Sequence, residues 1–215
     1  MCNLYAMTKG PAAIRAWFKA DTGRLGNFEP LPAIFPDQMA PVIRLDDGAP
    51  VCEFLRWGFP PPPKGNRPVT NVRNTASSFW KPWLKQGRRC LVLASSFCEY
   101  EDTKPRKTPT WFALGEGRPL FAFAGIWRPW TGQRTAKEDE AEHQLFSFLT
   151  CEANAEVAPI HPKAMPVILR DAEEADLWLN GPSEAALSLQ RPLPDGSLAI
   201  VARGKRSDAA LETGA

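Results

Sequence analysis

Most apolar residues of this chain come in short runs, β-branched or aromatic, each closed by Gly, Pro or Asp. Such punctuation leaves little room for long helices and predicts strands near 51–59, 90–100, 110–114, 119–127, 144–151, 165–170 and 198–203. Helical pattern is weaker and peripheral. It covers Pro11–Ala20, with Pro near the first turn, Ser78–Gln86, which carries Phe79, Trp80 and Trp83, and Asp171–Leu179, which opens on acids. The expected fold is α+β: a single domain over residues 2–203, with a curved, mainly antiparallel sheet or barrel-like core and helices around it. The polar segments Thr131–Glu142 and Gly204–Ala215 read as a mobile loop and a flexible tail. A chain of 215 residues suffices for one sizeable core. Its 22 prolines, about twice the usual ~5%, gather at Pro60–Pro63 and around Pro105 and Pro109, where they cap strands and stiffen loops.

Several function classes drop out. There is no Gly-rich phosphate loop and no long βαβ alternation, so nucleotide hydrolysis is not expected. No apolar stretch approaches the ~18 residues needed to cross a bilayer, and the first residues lack a signal-peptide pattern. The five cysteines are odd in number and widely spaced, without a Cys-x-x-Cys pair, and there are two histidines. Neither a disulfide framework nor a metal site is expected, no cofactor is implied, and a cytoplasmic location follows. Cys52, Cys90, Cys98 and Cys151 lie in apolar runs and read as reduced core residues; Cys2 does not fit that reading.

The net charge of +2 says little, but its distribution says more. Between Glu53 and Glu99, a span of 45 residues, there is no acid. The same span holds Arg56, Lys64, Arg67, Arg73, Lys81, Lys85, Arg88 and Arg89, interleaved with Trp57, Phe59, Phe79, Trp80 and Trp83. A phosphate chain needs cations spaced along a groove, and unpaired bases gain roughly 1–3 kcal/mol each by stacking on an aromatic face. The pattern suits single-stranded nucleic acid; a solvated basic face over buried aromatics is the competing reading.

Four places could carry chemistry. Loss of Met1 would expose Cys2 as an amino-terminal 1,2-aminothiol, whose amine and thiol, with reference pKa values near 8 and 8.5, capture aldehydes as a thiazolidine ring. Glu99, in Ser96-Phe97-Cys98-Glu99-Tyr100, follows an apolar run that should desolvate its carboxyl and raise its pKa, which suits it to proton transfer. His161 sits between prolines ahead of Val167-Ile168-Leu169 and could shuttle protons, whereas His143 lies among acids in a polar segment. Asn71 and Arg73, in Asn71-Val72-Arg73-Asn74-Thr75, pair an amide with a guanidinium able to orient an aldehyde and hold a phosphate. Each also has a structural reading: an incidental Cys, an exposed Glu, a loop His, an Asx-turn.

Taken together the landmarks resemble the SOS-response-associated peptidase (SRAP) family, whose members covalently trap abasic sites in single-stranded DNA. They run in family order from Cys2 to about Val201: Met-Cys at the start, Trp57-Gly58, Asn71-x-Arg73, Phe97-Cys98-Glu99-Tyr100, Gly125-x-Trp127, and Pro159-x-His161 followed by Met165-Pro166. The resemblance implies that Cys2, freed of Met1, forms the thiazolidine with the ring-opened sugar. Asn71 would position the Cys2 backbone or the sugar, Glu99 would assist imine formation and reversal, and His161 would serve the sugar hydroxyl or its proton transfers. Arg73 would hold a flanking phosphate, and Trp57 and Tyr100 would stack on or wedge between bases; from the acid-free stretch, Lys81, Arg88 and Arg89 are expected to line the strand's path.

Three departures stand out: the opening is Cys2-Asn3-Leu4-Tyr5 where Cys-Gly-Arg-aromatic is common, Asn71-Val72-Arg73-Asn74-Thr75 lacks the family's second carboxylate, and one extra residue separates His161 from Met165. A monomer acting largely once per molecule is expected, with thiol autopeptidase and abasic-site lyase activities as possible adjuncts. Two other readings stay open, an amino-terminal-nucleophile cysteine peptidase and a non-covalent single-strand binder.

Overall fold

The computed structural model describes residues 2–62, 65, 67–135 and 137–208. Among the described residues there are thirteen strands: β1 Tyr5–Met7, β2 Leu31–Ile34, β3 Met39–Asp46, β4 Ala49–Trp57, β5 Asn71–Val72, β6 Arg89–Ala94, β7 Ser96–Glu101, β8 Thr108–Ala113, β9 Phe121–Gly132, β10 Ala141–Cys151, β11 Met165–Pro166, β12 Ile168–Leu169 and β13 Ala199–Arg203. Three short helices accompany them, α1 Pro11–Trp17, α2 Ala172–Asn180 and α3 Ser183–Leu187.

Strand pairing closes a ring. β3 pairs antiparallel with β4 and β6, β6 with β9, and β9 with β10; β10 then returns to β4 in parallel, with Phe146 opposite Trp57. The result is a closed five-stranded barrel, the mostly β architecture expected, and closure removes the exposed edges an open sheet would carry. The β3–β4 hairpin turns on Asp47-Gly48, both at positive φ (48° and 82°), as a two-residue turn between right-twisted strands requires. A second sheet, ordered β13-β8-β7-β1-β2, lies alongside. The run read as one strand over 90–100 is two strands in different sheets, divided at Ser95, whose hydroxyl donates to Ala6 O (3.2 Å) and accepts from Thr8 N–H (3.1 Å).

Two glycines mark where backbones meet. A Cβ at Gly125 would lie 2.7 Å from both Cys90 Sγ and Val92 Cγ2; at Gly58, where φ is +116°, it would lie 2.6 Å from Pro68 Cβ. Helix α2 is capped by Asp171, which accepts from Glu174 N–H, and it buries Ala175, Trp178 and Leu179. The Trp178 indole N–H reaches Cys90 O and Gly125 O, both at 3.0 Å, and so ties the helix to the barrel.

Several expectations need correction. Ser78–Gln86 is not a helix: Pro82 and the Gly87 turn leave one 3-10 turn at Lys81–Trp83. Thr131–Glu142 is not a free loop, because β9 and β10 extend into it and Arg56 and Arg134 anchor it through Glu138 and Asp37. Residues 204–208, expected to fray, are pinned: the buried Asp208 carboxylate accepts two bonds from Arg118 (2.7 Å each) and one from Ser96 (2.5 Å). Met1, Pro63, Lys64, Asn66, Ala136 and the rest of the expected tail, 209–215, lie outside the described residues. No helix among the described residues is long and apolar enough to cross a membrane.

Candidate active site

Cys2, Asn71, Glu99 and His161 converge where the second sheet meets the barrel. Cys2 precedes β1, whose Tyr5 pairs with Phe97 of β7, so the chain start runs beside the strand that carries Glu99. From the barrel side comes β5, two residues long, held parallel to β10 with Asn71 opposite Phe148. Asn71 Nδ2 donates to Cys2 O at 2.9 Å and to Thr70 Oγ1 at 2.8 Å; Thr70 Oγ1 in turn donates to Asn3 Oδ1 at 3.3 Å. Asn71 is thus a strand residue that grips the chain start, not the hinge of an Asx-turn.

Glu99 is 2% exposed, opposite Thr110 of β8, and among the described residues its Oε1 has no hydrogen-bond partner. Burial lifts its carboxyl to about 7, so both protonation states are populated near neutrality. Its Oε2 lies 3.9 Å from His161 Nδ1. The His161 ring donates from Nδ1 to Ala164 O at 2.8 Å, closing the Pro162–Lys163 turn that holds the extra residue before Met165. Burial lowers the imidazole pKa, so the ring is neutral at pH 7. Asn71 Oδ1, like Glu99 Oε1, is buried without a partner among the described residues. Two unsatisfied acceptors in one small region are suited to a donor such as an amine or a sugar hydroxyl.

Cys2 itself departs from expectation. The side chain is 1% exposed, its Sγ directed at Leu4 O (3.4 Å) and Cys98 O (3.9 Å). Burial first, and then the Glu99 charge, push the thiol well above its ordinary pKa, so it is held as S–H rather than sharing the solution equilibrium. The other four cysteines are free and buried, as read from the sequence.

The presumed nucleic-acid contacts divide. Trp57 is no base-stacking residue: it is fully buried, stacked on Phe146 and Phe148 and edge-on to Tyr5, with its indole N–H on Thr70 O at 3.2 Å. It buttresses the residue next to Asn71. Arg89 is likewise sealed, its guanidinium over Trp178 and bonded to Leu179 O and Gly181 O at the end of α2. Neither can touch a strand at the surface. Lys81 is exposed, Arg88 and Tyr100 are half-buried, and the exposed Arg73 meets Glu152 at 2.6 Å. His143 is not merely solvated: it stacks on Trp130 and bonds Gly132 O.

Two contributors escaped the sequence reading. Gln190 donates to Arg73 O (2.8 Å) and Thr150 O (3.0 Å) and accepts from Thr75 Oγ1, so it binds the segment after Asn71 to β10; with Arg73, Cys151 and Glu152 it lines a polar pocket of about 200 Å³. Nothing local marks it. Thr70 carries a weak signal, a hydroxyl directly before Asn71. Among the described residues no group of three or more His, Cys, Asp or Glu is placed to hold a metal ion.

The chain matches the family described as SOS response associated peptidase (SRAP) over residues 1–204. It is 24% identical to the abasic site processing protein HMCES of Xenopus tropicalis, over 90% of this chain and 71% of that one. Against the abasic site processing protein YobE of Bacillus subtilis the identity is 30%, over 72% and 70%. A crystal structure of a Bordetella bronchiseptica protein superposes with a TM-score of 0.74 at 21% identity, covering 94% of this chain and 98% of that one.

Proposed function

The chain belongs to the SOS response associated peptidase family, and from that premise we propose that it processes abasic sites in single-stranded DNA by forming a covalent thiazolidine through Cys2. The observation that carries the reading is the grip on Cys2: Asn71 fixes its carbonyl while Asn71 Oδ1 and Glu99 Oε1 stay buried without donors among the described residues. The names of the curated relatives supply the substrate class.

Removal of Met1, which lies outside the described residues, frees the α-amine; self-cleavage at this site would account for a peptidase activity. The amine attacks the C1′ aldehyde of the ring-opened sugar to give a carbinolamine. Glu99, with its pKa about 7, donates the proton that lets hydroxide leave as water, and a protonated imine remains. The resulting Glu99 carboxylate takes the Cys2 thiol proton as sulfur adds to the imine carbon, and the C=N electron pair returns to nitrogen, which keeps the proton it already carries. One water is lost and a five-membered ring forms. His161, neutral and anchored through Nδ1, is placed beside Glu99 for proton transfers at the sugar. Arg73, released from Glu152, holds a neighbouring phosphate, and Tyr100 and Lys81 border the strand. Elimination from the imine would give a lyase side reaction. A cysteine-peptidase mechanism toward other chains needs a thiolate, and burial opposes one.

The test is incubation with an oligonucleotide holding one abasic site. A band that survives denaturing electrophoresis is expected, with the mass of the chain without Met1 plus DNA minus one water. Cys2→Ala should abolish it while salt-sensitive retention persists. Only non-covalent retention in the native chain, or Met1 retained in the adduct, overturns the reading.

A further inference from the structure

Around the start of β6 and the middle of β9, cations meet rings instead of acids. The Arg128 guanidinium lies 4.5 Å from the centre of Trp83, and Arg88 lies 6.0 Å from Trp83 and 4.9 Å from Trp127. Trp127 carries Arg44 at 4.5 Å and donates from its indole to Gly87 O at 3.0 Å, which fixes the loop holding Trp83 to the barrel. Among the described residues no carboxylate lies within ion-pair distance of Lys81, Lys85, Arg88 or Arg128. Arg44, by contrast, has Asp46 and Glu53. Arg88 and Arg128 are therefore like charges on a common tryptophan, and burial together with Arg88 lowers the Arg128 pKa. Two half-buried like charges beside one ring, with no acid at ion-pair distance among the described residues, suit an anion from outside. On the same loop Phe79 is 57% exposed, edge-on to Trp80 at 4.7 Å, an aromatic face with no cover in the structure.

We propose that Arg88, Arg128 and Phe79 form a second single-stranded DNA subsite, apart from the Cys2 pocket, which takes undamaged nucleotides flanking the lesion. The guanidiniums, held flat by indoles, clasp a backbone phosphate, and Phe79 receives an unpaired base. Continuity favours this occupant: the chain runs from Asn71 and Arg73 straight into the loop that carries Phe79, across a span without acids. Duplex DNA has no free base face for Phe79. The subsite rests on the proposed function for the identity of the strand.

Its test uses undamaged oligothymidylates of 4 to 16 nucleotides and fluorescence anisotropy on the full chain at several salt concentrations. The double variant Arg88→Gln/Arg128→Gln should lower the slope of log affinity on log salt by about 0.7, the value for one phosphate contact on a single strand. Phe79→Ala should weaken the 16-mer by about fivefold or more and leave the 4-mer nearly unchanged. Arg88→Lys/Arg128→Lys should restore the salt slope. Unchanged slopes, or a Phe79→Ala loss independent of length, overturn the subsite. Undamaged DNA offers no aldehyde, so the two ideas fail separately. A native chain that shows these effects yet forms no adduct sinks the covalent reading alone; adduct formation without them sinks the subsite alone.

Discussion

A carboxyl poised near neutrality inside a protein has consequences for both rate and stability. Glu99 holds its proton up to about pH 7, against an ordinary 4.5, so the folded state binds more protons than the unfolded one between those values. Stability from this group is complete below about pH 4.5 and is lost as pH rises through about 7. Glu99→Gln cannot ionise, so its melting temperature should gain on that of the native chain as pH climbs from 5 to 8; differential scanning fluorimetry across pH reads this directly, and a constant difference contradicts the buried-carboxyl assignment. In the same variant, adduct formation near pH 6 should slow by about 10²–10⁴. The limb of the rate profile near pH 7 should vanish, leaving the titration of the amine. The same residue shows what sequence can carry: a Glu ending an apolar run implied desolvation, and the structure provides it. Cys2 shows the reverse, because no local pattern says that the residue after Met1 will be roofed by β7 and β5.

Among the elements, the barrel strands β4, β9 and β10 were readable because long runs of Val, Phe, Leu and Trp sit between turn residues. β3 escaped, although its Asp47-Gly48 turn is a hairpin signal, because Pro41 interrupts the run. β1 and β5, at three and two residues, are too short to show alternation, yet they bring Cys2 and Asn71 together. Trp57 and Arg89 were misread for a different reason: an acid-free stretch reports composition, and burial depends on which face of a closed barrel each residue takes. Gly125 puts the barrel packing to trial. Gly125→Ala pushes a methyl into Cys90 and Val92 and should cost about 1–3 kcal/mol, seen as a lower urea midpoint with an unchanged slope. An unaltered midpoint would mean that β6 and β9 stand further apart than described.

At the scale of the whole molecule, the site is a seam between two sheets, supplied by residues 2, 71, 99 and 161, so it exists only when segments as distant in sequence as residues 2 and 161 have come together. That β architecture was legible as a class, but its closure through one parallel contact between β4 and β10 was not, since pairing partners leave no local trace. All five cysteines are buried and free, and burial raises the pKa of each, Cys98 and Cys151 to about 12. A thiol-titrating disulfide reagent should therefore find almost no fast-reacting sulfur in the folded protein and five thiols in denaturant; a rapid native stoichiometry of one would place Cys2 at the surface. Peroxide attacks thiolate, and sulfenic acid is the first rung toward irreversible loss. A sulfur kept protonated under the surface is thus stored in reduced form, and under the proposed function it would survive the oxidants that break DNA to be consumed by the aldehyde they leave behind.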